Sequence, residues 1–220
     1  MDITTYAATT YYVIILNILL AGCLLLLLHI GKASKKTIRI TGVISLVYIM
    51  LEHWLIGSHI LFSETISGLS FFGIILGVAT LGVGTFYFTL RTPFFNLSQE
   101  HLQMIQGVRI FVSAGFFTEA ALGIIPLYFG ILDGFMHAIS AFSALIAAIL
   151  YVKNSSLKTT ALWIANIIGV LDILIIVTSI CFFVWEDIGP HHNMQYVVFF
   201  GGVLFLWIHT ASILKLLKKN

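Results

Sequence analysis

Residues 161–180 read ALWIANIIGVLDILIIVTSI, and this stretch decides what kind of protein the chain is. It holds one ionisable side chain, Asp172. As a helix rising 1.5 Å per residue it is about 30 Å long, the thickness of a bilayer's hydrocarbon core. A soluble domain of ordinary size cannot hide such a run on every side.

Runs of the same kind fill the rest of the chain. Spans are placed at 5–30, 40–61, 67–90, 103–130, 134–152, 160–185 and 193–214. They are too long for the strands of a membrane barrel, about ten residues each, so all are read as helices. The composition agrees: 60% of the 220 residues are hydrophobic and 9% are charged, against about 25% charged in a typical soluble domain. The expected fold is all-α: a single transmembrane domain over 1–220, a seven-helix bundle whose partner is the lipid bilayer. No basic run suits nucleic acid.

The cations sharpen this reading. Lys32, Lys35, Lys36 and Arg39 follow span one, Arg91 follows span three, Lys153 and Lys158 follow span five, and Lys215, Lys218 and Lys219 close the chain. With seven crossings all of these fall on one side. The opposite connections carry Asp2, Glu64, Asp133, Glu186 and Asp187. Lys and Arg concentrate in cytoplasmic loops, so the N-terminus is expected outside and the C-terminus in the cytoplasm. Short loops and the lack of a soluble domain suit a bacterial inner membrane.

Ionisable groups within spans are costly and usually face the bundle interior. Glu52, Glu119 and Asp172 are each expected near the middle of a span, with Arg109 and Asn166 towards the cytoplasm and His209 at a similar level. Arg109 and Glu119 are about 15 Å apart along one helix, so their partners must come from elsewhere. His53 points about 100° away from Glu52 and faces a different neighbour. The expectation is a midplane cavity formed by Glu52, His53, Glu119, Asp172, Arg109 and Asn166. It would bind or carry a small polar solute, a proton or a cation. The competing reading has the same groups as interhelical hydrogen bonds in a structural or assembly protein without a ligand.

A second constellation is expected at the outer rim. His59, Asp133, His137, His191 and His192 combine imidazole with carboxylate, a ligand chemistry suited to a transition metal. His59 and His137 at comparable depth also allow a bis-histidine haem. This gives the alternative of a metal- or haem-dependent membrane oxidoreductase. No lysine lies within a span, which argues against a retinal Schiff base, and neither a GxSxG elbow nor a phosphate-binding glycine loop is present.

Smaller features complete the expectations. Gly73, Gly77, Thr80 and Gly84 form a small-residue stripe on span three, and Ala141, Ala144 and Ala148 do so on span five. Such faces let helices approach closely in lipid, so spans three and five are expected to be central or paired. Pro126 is expected to kink or end span four. Asn96 and Gln99 have capping-box spacing in a connection running from Arg91 to Leu102. Cys23 and Cys181 lie in different spans and are not expected to pair.

Overall fold

Apolar runs without turn residues have one way to satisfy their backbone in lipid, and the chain takes it. The computed structural model describes residues 3–58, 60, 66–188 and 193–218, and these contain no strand. The helices are α1 (Ile3–Ile30), α2 (Lys35–Gly57), α3 (Gly68–Asn96), α4 (Gln99–Met104), α5 (Arg109–Ala121), α6 (Leu127–Val152), α7 (Lys158–Phe182), α8 (Trp185–Ile188), α9 (Gln195–Val197) and α10 (Val203–Leu217). A 3-10 turn, Ile105–Val108, joins α4 to α5, and a π-helical turn, Val198–Gly202, joins α9 to α10. Six helices are long and apolar enough to cross a membrane: α1, α2, α3, α6, α7 and the continuous stretch Gln195–Leu217. The chain is therefore an all-helical integral membrane protein.

Three boundaries differ most from expectation: the end of span four, the start of span five, which is Leu127 and not 134, and the connection at 91–102. Span four does not run to residue 130. The helix stops at Ala121, with Gly123 in the left-handed region (φ +70°), Gly123 N donating to Ala120 O and Ile124 N to Glu119 O. That is a Schellman stop, and Pro126 then starts α6. The apolar run through Ile124, Ile125 and Leu127 masked a Gly–Pro stop that was present in the sequence. The connection expected at 91–102 also contracts. α3 continues through Pro93 to Asn96, and α4 begins at Gln99. Asn96 is not a cap; its side-chain amide donates to Gly31 O (3.1 Å) at the end of α1.

Gly31 shows why α1 ends as it does. A Cβ there would meet Pro93 O at 2.3 Å, so the close approach of α3 requires glycine at that position. The left-handed residue of the stop then falls on Lys32 (φ 60°).

The last helix, Gln195–Leu217, is the most buried of the long helices. α6 packs against α4, α5 and α7, and its Ala141, Ala144 and Ala148 are buried as expected. The expectation for span three is overturned. α3 packs on α1, α7 and α10, but Gly73, Gly77 and Gly84 have open space where a side chain would be, and Gly73, Gly77 and Thr80 are exposed. The glycines that bring α3 close are Gly68, against Cys181 O, and Gly82, against the Val203 side chain.

The basic ends of several helices meet. Lys215 Nζ donates to Phe95 O (2.9 Å) and also to Leu97 O, and Lys218 lies over the Phe95 ring. At the other end, Tyr128 Oη at the start of α6 donates to Asp187 Oδ2 after α7 (3.3 Å). Cys23 and Cys181 are free and buried.

Candidate functional site

The helical stretch Gln99–Ala121 builds the site. Gln99, Gln103, Gln106, Arg109 and Ser113 recur every three or four residues, so they form one stripe, and none is more than 4% exposed. The stripe faces α6, α7 and α10. The 3-10 turn in its middle lies against α6, with Gly107 close to Leu145.

Arg109 is the centre. It has no exposed surface, and its Nη2 lies 2.6 Å from Asp172 Oδ2 on α7. His137 Nδ1, on α6, lies 3.1 Å from the same oxygen. Neither nitrogen aims its N–H along the line to the carboxylate, so the Arg109 contact is an ion pair without full hydrogen-bond alignment, and the His137 contact becomes ionic when the imidazole is protonated. The guanidinium also lies 4.9 Å from the Phe205 ring centroid on α10, a cation–π contact. The His137 ring stacks on Phe116.

From the other side of Arg109 an aligned chain runs towards the basic end. Arg109 Nη1 is 3.1 Å from His209 Nε2. Arginine can only donate, so Nε2 is the acceptor and the proton of the neutral ring sits on Nδ1. That Nδ1 is 3.0 Å from Asn166 Oδ1. Asn166 Nδ2 donates to Ser212 Oγ (2.9 Å), and Ser212 Oγ donates to Gln99 Oε1 (2.7 Å). Gln103 Nε2 adds a bond to Ser212 Oγ (3.1 Å) and Gln99 Nε2 one to Ser212 O (3.0 Å). Along the main line Arg109–His209–Asn166–Ser212–Gln99 each donor points towards Gln99, while Gln99 Nε2 and Gln103 Nε2 donate back to Ser212. Gly169 makes it possible: a Cβ there would sit 2.1 Å from the His209 ring.

Beside Arg109 and His137 lies a cavity of about 40 Å³, walled mainly by Val112, Phe116, Ile176 and Phe205. A water needs roughly 10–15 Å³ by this measure, so the space suits a few waters or a very small solute. Asp133, one turn before His137 on α6, is fully buried, and neither carboxylate oxygen has a hydrogen-bond partner.

The expected residues therefore regroup. Asp172, Arg109 and Asn166 share one site, and Asp172 and Arg109 each lie near the middle of their helical stretch. His137, expected at the rim, belongs to this central site. Glu119 is fully buried but sits two residues from the end of α5, because the helix stops nine residues before the expected boundary at 130. Glu52 is buried in the last third of α2, a helix that packs on α1 and α9, and neither oxygen has a hydrogen-bond partner. His53 stacks on Tyr196 (4.3 Å between centroids) and lies 3.4 Å from Asn17 Nδ2, so it faces other neighbours than the Arg109 site. His59, His191 and His192 lie outside the described residues. Among the described residues no three His, Cys, Asp or Glu side chains are grouped as a metal site.

Sequence reasoning missed Gln99, Gln103, Gln106 and Ser212. The signal for the glutamines was the polar stripe running into Arg109, cut short because Gln99 was read as part of a connection, while Gln103, Gln106 and Ser212 lay within expected spans as uncharged polar residues.

Fold and site together define a polytopic helical membrane protein with a charged, hydrogen-bonded core. Comparison with protein families, with characterised proteins and with solved structures yields no match.

Proposed function

We propose that this chain is a protonation-dependent membrane carrier for a proton or a very small solute. Its proton-exchanging group would be the Asp172–His137 pair. One observation carries the reading: a single buried carboxylate oxygen is shared by a guanidinium and an imidazole beside a small cavity. Adding a proton to Asp172 weakens its hold on Arg109, and histidine and carboxylate both exchange protons readily. The Arg109–His209–Asn166–Ser212–Gln99 chain has a different role. Amide N–H groups do not pass protons on, so this chain acts as the barrier on the basic side.

The topology that goes with this has seven crossings, the N-terminus outside and the C-terminus in the cytoplasm, in a bacterial inner membrane. Supporting it, Gln99–Ala121 is continuously helical and about 34 Å long at 1.5 Å per residue. It starts where α3 ends, beside Lys215, and α6 begins at the end marked by the Tyr128–Asp187 contact.

The test is proton flux into liposomes holding the purified protein and a trapped pH dye, driven by a potassium-diffusion potential. The wild type is expected to acidify or alkalinise the lumen according to the sign of the potential. Asp172→Asn and His137→Phe should fall to the protein-free rate per folded protein incorporated, and His137→Phe, which keeps the Arg109–Asp172 pair, should remain monodisperse in detergent. Unchanged flux in both variants would remove the proposal.

A second reading, an assembly protein without a ligand, is favoured by the exposed Gly73, Gly77 and Thr80 face of α3. Gly77→Leu would then alter oligomeric state and leave flux unchanged. The metal- or haem-dependent alternative keeps Asp133 and His137 as its described residues, and an absorption spectrum with elemental analysis tests it.

A further inference from the structure

α2 and α3 lie side by side without packing closely, and a groove of about 590 Å³ runs between them. Pockets that bury small ligands fall in the range of about 300–1,000 Å³. The floor is Phe199, Phe200 and Val203, at and just after the π turn of the last helix. We propose that this groove holds one acyl chain of an anionic phospholipid, with its headgroup at the Lys35–Arg39 end of α2.

Three observations carry this. The first is length. Along α2 the lining runs from Thr37 to Tyr48, about 16 Å, and along α3 from Val78 to Leu90, about 18 Å. Half of a 30 Å hydrocarbon core is about 15 Å, so the groove spans one leaflet. Its mouth is one turn from the interfacial start of α2, and Tyr48 stands at its inner end.

The second is the state of the polar groups along it. Thr85 Oγ1 donates to Leu81 O (2.8 Å), Thr89 Oγ1 to Thr85 O (2.6 Å) and Tyr48 Oη to Phe199 O (3.2 Å). The Thr37 hydroxyl is bonded to Ser34 Oγ. These four hydroxyls are spent within the protein and present their carbon faces to the groove, which leaves Thr41 and Ser45 as its remaining hydroxyls in a lining that is mainly hydrocarbon. A polar solute would find little to bind, and a hydrocarbon chain would displace nothing.

The third is charge. Lys35, Lys36 and Arg39 are exposed in the first two turns of α2, at the Thr37 end of the groove, and none forms an ion pair with an acid among the described residues. Lys32 adds a fourth cation in the same connection. A basic cluster beside an apolar slot suits an amphiphile with a negative head.

The test is native mass spectrometry of the full chain released from nanodiscs made with phosphatidylglycerol or with phosphatidylcholine of the same acyl chains. The expected result is one phosphatidylglycerol retained per chain, with at least tenfold preference over phosphatidylcholine. Thr85→Phe and Ile44→Trp fill the groove from opposite walls, and each should lower retention at least tenfold. Gly77→Phe projects from an open face of α3 outside the groove and should retain the lipid as wild type does. Lys35→Gln with Lys36→Gln should abolish the preference for phosphatidylglycerol. Thermal transitions in lipid-free detergent, matched to wild type, show that each variant is folded. Equal retention of the two lipids by the wild type would overturn the proposal. So would loss in Gly77→Phe as large as in Thr85→Phe, or undiminished retention in both groove-filling variants.

Discussion

The two sides of this bundle are held by different forces. Around Arg109 the stretch Gln99–Ala121, α6, α7 and α10 are tied by side chains: Asp172, His137, His209, Asn166 and Ser212 reach across to one another. On the other side α2 and α3 are separated by an apolar groove whose hydroxyls mostly bond within their own helix or to the floor. In lipid, apolar surface gains little by leaving the solvent, so helices associate through close packing and polar contacts. The first side has both. The second has close packing where Gly68 and Gly82 on α3, and Gly31 beside Pro93, let α3 approach its neighbours.

This contrast makes graded predictions. The largest effect is expected at the ion pair. Asp172→Ala leaves the Arg109 guanidinium buried without its counter-charge, a loss of about 3–5 kcal/mol. The Arg109→Leu, Asp172→Leu double variant should be less destabilised than Asp172→Ala, as read by denaturant unfolding in detergent. A double variant no better than the single would mean that the pair does not hold this side together.

Next is Gly169→Ala. The added methyl must displace the His209 ring, and overpacking of this kind costs about 1–3 kcal/mol. Ser212→Ala removes the junction of Gln99, Gln103 and Asn166 and should cost about 0.6–2 kcal/mol, the measured span for polar contacts between membrane helices. The smallest effect belongs to the loose side. Gly77→Ala enters open space and should shift stability by no more than about 0.5 kcal/mol. If Gly77→Ala proved as costly as Gly169→Ala, the exposed face of α3 would have to be packed against something, and the contrast between the sides would fail.

Much of the fold was legible. The cores of α1, α2, α3, α6 and α7 and of the last helix coincide with apolar runs read from composition alone. So was the grouping of Arg109, Asp172 and Asn166, because charged groups within spans must face inward. The depth of Glu119 was misread because Gly123 and Pro126 end and restart the chain within one apolar run. Glu52 was placed with the other acids by depth alone, and depth does not say which helices are neighbours. His137 was assigned to the rim for the opposite reason: α6 starts at Leu127, not 134, which puts His137 nearly three turns inside its helix.

What the amino-acid sequence determined by itself is the solvent. So many apolar residues, so few charges and cations that, Arg109 apart, keep to helix ends leave a bilayer as the place where this backbone can rest, and helix as its form. Only the tertiary structure decided which face of each helix turns inward. In water the apolar face would announce itself. In lipid both faces are apolar, so the rotation of each helix is set by the few polar side chains that must find partners and by the few glycines that let a neighbour come close. Gly169 beneath the His209 ring, and the glutamines converging on Ser212, are decisions of that kind.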